Sequence, residues 1–337
     1  MNHYKKVYRF GKYLTLIFLL IGPQCFISCV SSRNTQHLQK QEPKPILNVR
    51  LLGASGDGVT DDTRFFQKAI DSIFQIGGGT VFAPKGKYLI DADVSVRLKT
   101  GVTLQMIDTS AQLIAKPTKS NRSYILMVVN ATDVNIIGGK IIGDRKEHLG
   151  TTGEWGMGIA VYASKNVIIN GTKIFNCWGD GIVIGAKGGA PYYAADPSVN
   201  VVVKNVTSDN NRRQAITIGK VNHVVIDSCM LTNTNGTKPM SAIDIEPDKD
   251  TAQNIIIQNC VMAYNKGNGI EMYVNSKSVV KNVVVNKNFI HHNTYGGYLI
   301  RAQNVEFNHN RIIENKYMPL IKAVETVNCI LTPNVSE

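Results

Sequence analysis

The sequence predicts an all-β chain wound as a single-stranded parallel β-helix, and three observations point there. Short β-rich runs recur from residue 134 onward, among them "NVIINGTKIFNC", "NVVVKNVTSDN", "HVVIDSCMLTN" and "NIIIQNCVMAYN", each closing near asparagine. Between them lies a second set of strands: "GIAVY" from 158, "GIVIG" from 181, "AITIG" from 215, "AIDIE" from 242, "GIEMY" from 269 and "GYLIR" from 297. Helical amphipathic patterns are scarce. Counted from Asn166, Asn200, His223, Asn254, Asn282 and Asn304, the repeat advances by about 22 to 34 residues, a period that marks stacked solenoids. Unequal steps mean loops of unequal length.

The N-terminus divides off from this domain. Residues 1–28 carry Lys5, Lys6, Arg9 and Lys12 before a short apolar run, Tyr13 to Ile21, too short to span a bilayer, and so they resemble an export signal. The stretch Phe26-Ile27-Ser28-Cys29 resembles a bacterial lipoprotein cleavage box, which implies lipidation at Cys29 and a membrane-anchored protein, periplasmic or at the cell surface. Residues 29–45 are polar and lack apolar periodicity, as in a tether. The β-helix domain spans 46–337, and a chain of 337 residues with 43% hydrophobic content can bury a large core in it.

The front of the domain, "GASGDGVTDDTRFFQKAIDSIFQIGGGTVFAPKGKYLI" at 53–90, places Phe65, Phe66, Ala69, Ile70, Ile73 and Phe74 at helical spacing behind Thr60, the expected N-cap. Such a helix covers the open end of a solenoid, whose first coil otherwise exposes a strand edge. This segment resembles the N-terminal signature of the pectate lyase superfamily. The resemblance rests on Gly56-Asp57-Gly58-Val59-Thr60-Asp61-Asp62-Thr63, Gln67, Ala69-Ile70, Gly77-Gly78-Gly79, Pro84, Gly86 and Tyr88. It implies a right-handed β-helix. It leaves the activity open, because that superfamily holds lyases, hydrolases, epimerases and phage tailspikes. Asp57, Asp61 and Asp62 are read as turn and cap residues, as are His291 and His292 at a later corner.

In the second set of strands, positions two and four point inward. The outward positions then form two columns: Ala160, Val183, Thr217, Asp244, Glu271 and Leu299, and beside it Tyr162, Gly185, Gly219, Glu246, Tyr273 and Arg301. Neighbouring coils lie about 4.8 Å apart, so Asp244, Glu246 and Glu271 share one patch. Like charges across adjacent strands are destabilising, so stability gives no reason to stack them. Crowding should raise one carboxyl pKa and leave a proton donor beside an ionised partner, as glycoside hydrolysis needs. Asp180, Arg212 and Arg213 in the adjoining turns join the candidates, the arginines as uronate binders, with Trp178, Tyr162, Tyr273 and Arg301 as further substrate-binding positions. Residues 186–199 and 234–241 are expected to wall the groove.

The formal charge of +12 includes the four signal cations, and from Cys29 onward 33 cations face 25 acids, a net +8. That excess favours an anionic partner. An exported chain with no basic cluster and few stacking aromatics is a poor match to nucleic acid, which leaves an acidic polysaccharide. Cys177, Cys229, Cys260 and Cys329 show no CxxC pair and are expected as buried thiols.

Three functions fit. The first is carboxylate acid/base hydrolysis of an anionic, uronate-containing polysaccharide by two of Asp180, Asp244, Glu246 and Glu271, with no cofactor. Departing from polygalacturonase-type hydrolases, the chain has no paired aspartates, Gly-His-Gly or Arg-Ile-Lys on successive coils. The second is a lyase, or a uronate epimerase, in which Asp244, Glu246 and Glu271 hold Ca²⁺ and Arg213 or Lys220 takes the C5 proton. The Asp-Pro-His-Glu run of alginate epimerases is absent. The third is a glycan-binding rod with no turnover.

Overall fold

The computed structural model describes residues 44–186, 196–318 and 320–335. The export signal, Cys29 and all but the end of the tether lie outside the described residues. From Ile46 the chain winds as a right-handed parallel β-helix of three sheets. Ten strands form the first sheet, Ile46–Asn48 to Gln303–Asn308, and ten the second, Asp57–Asp61 to Arg311–Ile313. Nine form the third, Val96–Leu98 to Ile321–Val324, and this sheet carries the candidate site.

The inward columns are aliphatic because every strand alternates: Ile182 and Ile184, Ile216 and Ile218, Ile243 and Ile245, then Ile270 and Met272 are buried without exposed surface. Each such side chain contributes about 1.5–3 kcal/mol by leaving water. Cys229 and Cys260 stack within this core, the Cys229 amide donating to Cys260 Sγ at 3.4 Å, and the described cysteines are free thiols.

Asparagine holds the corners for a conformational reason. Asn166, Asn200, Asn254, Asn282 and Asn304 all have φ between 51° and 58°, the left-handed region that asparagine tolerates better than most residues. Their amides form a ladder, Asn200 to Asn166 at 3.1 Å and Asn304 to Asn282 at 3.0 Å. A second ladder is internal. Asn310 Oδ1 accepts from the Asn288 amide nitrogen and side chain at 3.0 and 2.9 Å, while Asn310 Nδ2 reaches the Val285 carbonyl at 2.9 Å. Asn310→Ala orphans several buried groups at about 1–3 kcal/mol each. It is therefore expected to lower the urea midpoint of unfolding far more than removal of the exposed Asn304 side chain.

Helix α1, Thr63–Gln75, closes the N-terminal end by burying Phe66, Ala69, Ile70 and Ile73. Its N-cap is Asp62 and not Thr60, which belongs to the strand Asp57–Asp61. The Asp62 carboxylate is used in a loop instead, accepting from the Ser55 and Gly56 amides at 2.6 and 2.8 Å. Asp57 likewise binds the Val59 and Thr60 amides, both at 2.8 Å. Phe74 faces outward, 43% exposed, under the Lys99 ammonium.

One expected register is corrected. Glu271 pairs with Tyr298 and Met272 with Leu299, so the strand is Gly297–Ile300 with Leu299 inside and Tyr298 outside. The repeat frame starts at Gly296 rather than Gly297, and a slip of one residue turns every side chain to the opposite face. Leu299 and Arg301 leave the outward columns.

Candidate functional site

The carboxylates come together because a parallel ladder in strict register stacks equal positions. Asp244 pairs with Thr217 on one side and Glu271 on the other. Gln214 Nε2 donates to Asp244 Oδ2 at 2.9 Å, and Gln214 Oε1 accepts from the Ser241 amide at 2.7 Å. Asp244 Oδ1 is buried and meets no hydrogen-bond partner among the described residues. With 1% of its surface exposed, Asp244 is buried. Burial, then the charges of Glu271 and Glu246, hold its carboxyl well above the usual range.

Glu271 is half-buried, and its Oε2 accepts from Ser241 Oγ at 2.8 Å and Asn268 Nδ2 at 3.1 Å. Burial raises its pKa against the pull of those two bonds and of Arg213. Glu246 stands at the end of the same strand as Asp244, its side chain 32% exposed and 3.8 Å from Arg213 Nη2. Burial raises it too, with Arg213 opposing.

Asp180, expected as a candidate in the turn that feeds this face, is fully buried. Arg213 Nη1 lies 3.2 Å from its Oδ2, and the Thr217 hydroxyl donates to the same oxygen at 2.8 Å. Burial pushes its pKa up to about 6 despite both contacts. Met127, Met157, Ala160 and Val183 form a small apolar cluster on this outer face, where the Asp180 amide approaches Met157 Sδ at 3.3 Å.

Arg213 is the hub. Its Nε faces Glu154 Oε2 at 3.4 Å, and its field reaches Asp180, Asp244, Glu246 and Glu271 as well. Burial alone would lower the guanidinium, and the surrounding carboxylates outweigh burial and raise it. One cation cannot neutralise five carboxylates in a poorly solvated site, so the cluster keeps protons at pH values where free acids have lost theirs.

Several expected members sit elsewhere. Trp178 is no sugar platform: His148 stacks on it at 3.9 Å and the Arg212 guanidinium lies 3.9 Å from the same ring, so the two occupy opposite faces. Arg212 also donates to the carbonyls of Gly153 and Trp178, which leaves it structural and not a uronate binder. Arg301 pairs with Glu325 at 2.6 Å beyond the third sheet. Since exposed pairs contribute about 0–1 kcal/mol, Arg301→Ala is expected to shift the melting temperature little and turnover not at all. Lys220 pairs with Asp250 at 2.8 Å. Tyr162 is partly buried, edge-on to Tyr124, with its phenol raised well above its ordinary value by burial. Tyr273 ends the strand Ile270–Tyr273 and stays 41% exposed. The 234–241 segment turns back onto Arg145 and Arg212, and 187–195 lies outside the described residues.

Glu154, Gln214, Ser241 and Asn268 escaped the sequence reading. Gln214, Ser241 and Asn268 occupy one step ahead of each strand and form a third outward column, a signal present in "RRQAITIG", "SAIDIE" and "NGIEMY". Among the described residues no three His, Cys, Asp or Glu side chains are arranged to hold a metal ion. Asp244, Glu246 and Glu271 turn to separate partners, so this arrangement does not fit the calcium site expected of a lyase.

The family described as rhamnogalacturonase A/epimerase, pectate lyase-like matches residues 46–297. The chain belongs to that family. Among relatives of this pectate lyase-like chain, the uncharacterised protein YclG of Bacillus subtilis is 31% identical over 220 residues, 60% of this chain and 38% of that protein. Mannuronan C5-epimerase AlgE4 of Azotobacter vinelandii is 47% identical over 62 residues, 17% of this chain and 11% of the enzyme. The solved A-module of AlgE4 superposes with a TM-score of 0.58 at 20% identity, covering 84% of this chain and 80% of the module. The chain therefore spans well under half the length of these two sequence relatives, and the solved module shares its fold.

Proposed function

We propose that this chain acts on an acidic polysaccharide by carboxylate acid/base glycoside hydrolysis. The observation that carries it is the division of the carboxylates around Arg213: Asp180 and Asp244 are buried, while Glu246 and Glu271 keep part of their surface exposed. Glu246, nearest Arg213 Nη2 of the two, is the ionised base, and Glu271 is the acid that protonates the leaving glycosidic oxygen. They occupy diagonal positions on adjacent strands, about 7–8 Å apart. Asp244 acts through Glu271 as a positioning residue, paired directly with it across the ladder. Tyr273 supplies a ring face beside Glu246. Family membership and the likeness to AlgE4, an epimerase named for mannuronan, support the substrate class.

That same AlgE4 likeness favours one second reading, proton abstraction at C5 by a lyase or epimerase. Its expected bases are engaged, Arg213 by carboxylates and Lys220 by Asp250. The test is incubation with polygalacturonate, alginate and rhamnogalacturonan, recording reducing ends and ultraviolet absorbance together. Reducing ends without absorbance support hydrolysis. Absorbance from an unsaturated product, or inversion of uronate configuration with no chain cleavage, would replace it.

A further inference from the structure

The hydrolytic reading leaves a problem of charge. An acidic polysaccharide approaching the ionised Glu246 meets like charge, and Arg212 Nη1 and the Arg213 guanidinium are engaged by protein groups. Some other cation must receive the substrate carboxylate.

The third sheet supplies one on its next two coils. Tyr298 follows Glu271 directly in register, and Lys322 follows Tyr298. Tyr295 stacks on Tyr298 with centroids 5.7 Å apart and planes 15° from parallel, and Tyr317 leans on Tyr295 at 5.5 Å. The Lys322 ammonium stands 5.3 Å from the Tyr298 ring centre and 5.7 Å from that of Tyr295, with no carboxylate in ion-pair range among the described residues. Tyr317 is 45% exposed, and Tyr295, Tyr298 and Lys322 are partly buried with some surface open to solvent. Asn268 ties this shelf to the acid. Its Nδ2 donates to Glu271 Oε2 and its Oδ1 accepts from the Tyr295 amide.

We infer that Tyr295, Tyr298, Tyr317 and Lys322 form a uronate-binding subsite that seats an acidic sugar next to the bond cleaved at Glu271. The inference rests on the hydrolytic reading for its place in the reaction and on the shelf geometry for its chemistry. Flat, exposed tyrosine faces pack on a sugar ring. A lysine ammonium over these rings, with no acid in ion-pair range among the described residues, makes a charge-assisted bond to the uronate carboxylate. Two strand steps separate Glu271 from Lys322, about 9.6 Å. The polysaccharide therefore lies along the solenoid axis, with its acidic residue on the C-terminal side of the carboxylates.

Binding of short galacturonate and mannuronate oligomers, and of their methyl esters, to the Glu271→Gln chain by calorimetry tests this without turnover. Adding Lys322→Met is expected to weaken the acidic oligomers about tenfold and to leave the esters unchanged. Tyr298→Leu is expected to weaken acid and ester alike. The lysine-dependent part should fade with salt. Binding that ignores both substitutions would overturn the subsite and leave the hydrolytic reading standing. Failure of every oligomer to bind, with no product from the polymers, would overturn both.

Discussion

Glu271→Gln is expected to lower turnover of the acidic polysaccharide by about 10²- to 10⁴-fold, the range that a positioned general acid supplies. The amide oxygen can still accept from Ser241 and Asn268, so the local bonds survive. Because Glu271 carries its proton beside Asp244, the neutral amide replaces a neutral acid at a paired position of the ladder. Loss of activity should therefore come with an unchanged melting temperature. A parallel fall in both would make Glu271 a structural residue. Asp244→Asn behaves differently under the same account. An acid that is 1% exposed and holds its proton resembles the amide, so its rate loss should be smaller than that of Glu271→Gln and accompanied by a displaced pH optimum.

The largest stability effect is expected at Arg213. Replacing it with methionine leaves Asp180, Asp244, Glu154, Glu246 and Glu271 without their shared cation. Breaking a buried charge pair from one side costs about 3–5 kcal/mol. The cost should depend on pH with a definite sign. Burial raises the folded-state pKa of Asp180 from 3.8 to about 6, so the folded protein holds that proton more tightly than the unfolded chain. The resulting stability is complete below about pH 4 and is lost as pH rises through about 6. Asp244, Glu246 and Glu271 shift in the same direction. Without Arg213 the acids rise further, so urea unfolding should show a much larger deficit at neutral pH than near pH 4. An equal deficit at both would mean that the arginine stabilises by packing alone.

The fold was legible because one physical rule, alternation in strands of fixed pitch, repeats along the chain. Ile243, Asp244 and Ile245 already declare which side is core, and left-handed asparagines mark the corners. The same rule stacks Asp244 on Glu271 from the strand pattern alone, and the ladder pairs them. It failed at Tyr298 because Gly296 and Gly297 offer two starting points one residue apart, and only the ladder with Ile270 chooses between them. Glu154 was invisible for another reason: it sits in an irregular loop ahead of Trp155, outside the repeat frame, and reaches Arg213 across about sixty residues of sequence. Trp178 looked exposed because nothing local predicts that His148 and Arg212 will cover both of its faces. Loop-borne and long-range contacts are what a periodic pattern cannot encode.

The central claim is that one cluster holds a protonated Glu271 beside an ionised Glu246. Its most direct test is the pH dependence of kcat/KM on the cleaved polysaccharide, compared between the native chain and Glu246→Gln. The account predicts a bell whose alkaline limb falls above the ordinary carboxylate range as Glu271 loses its proton, with the acidic limb abolished in Glu246→Gln. A rate still climbing through about pH 9, as a tyrosine, lysine or arginine base would give, contradicts it.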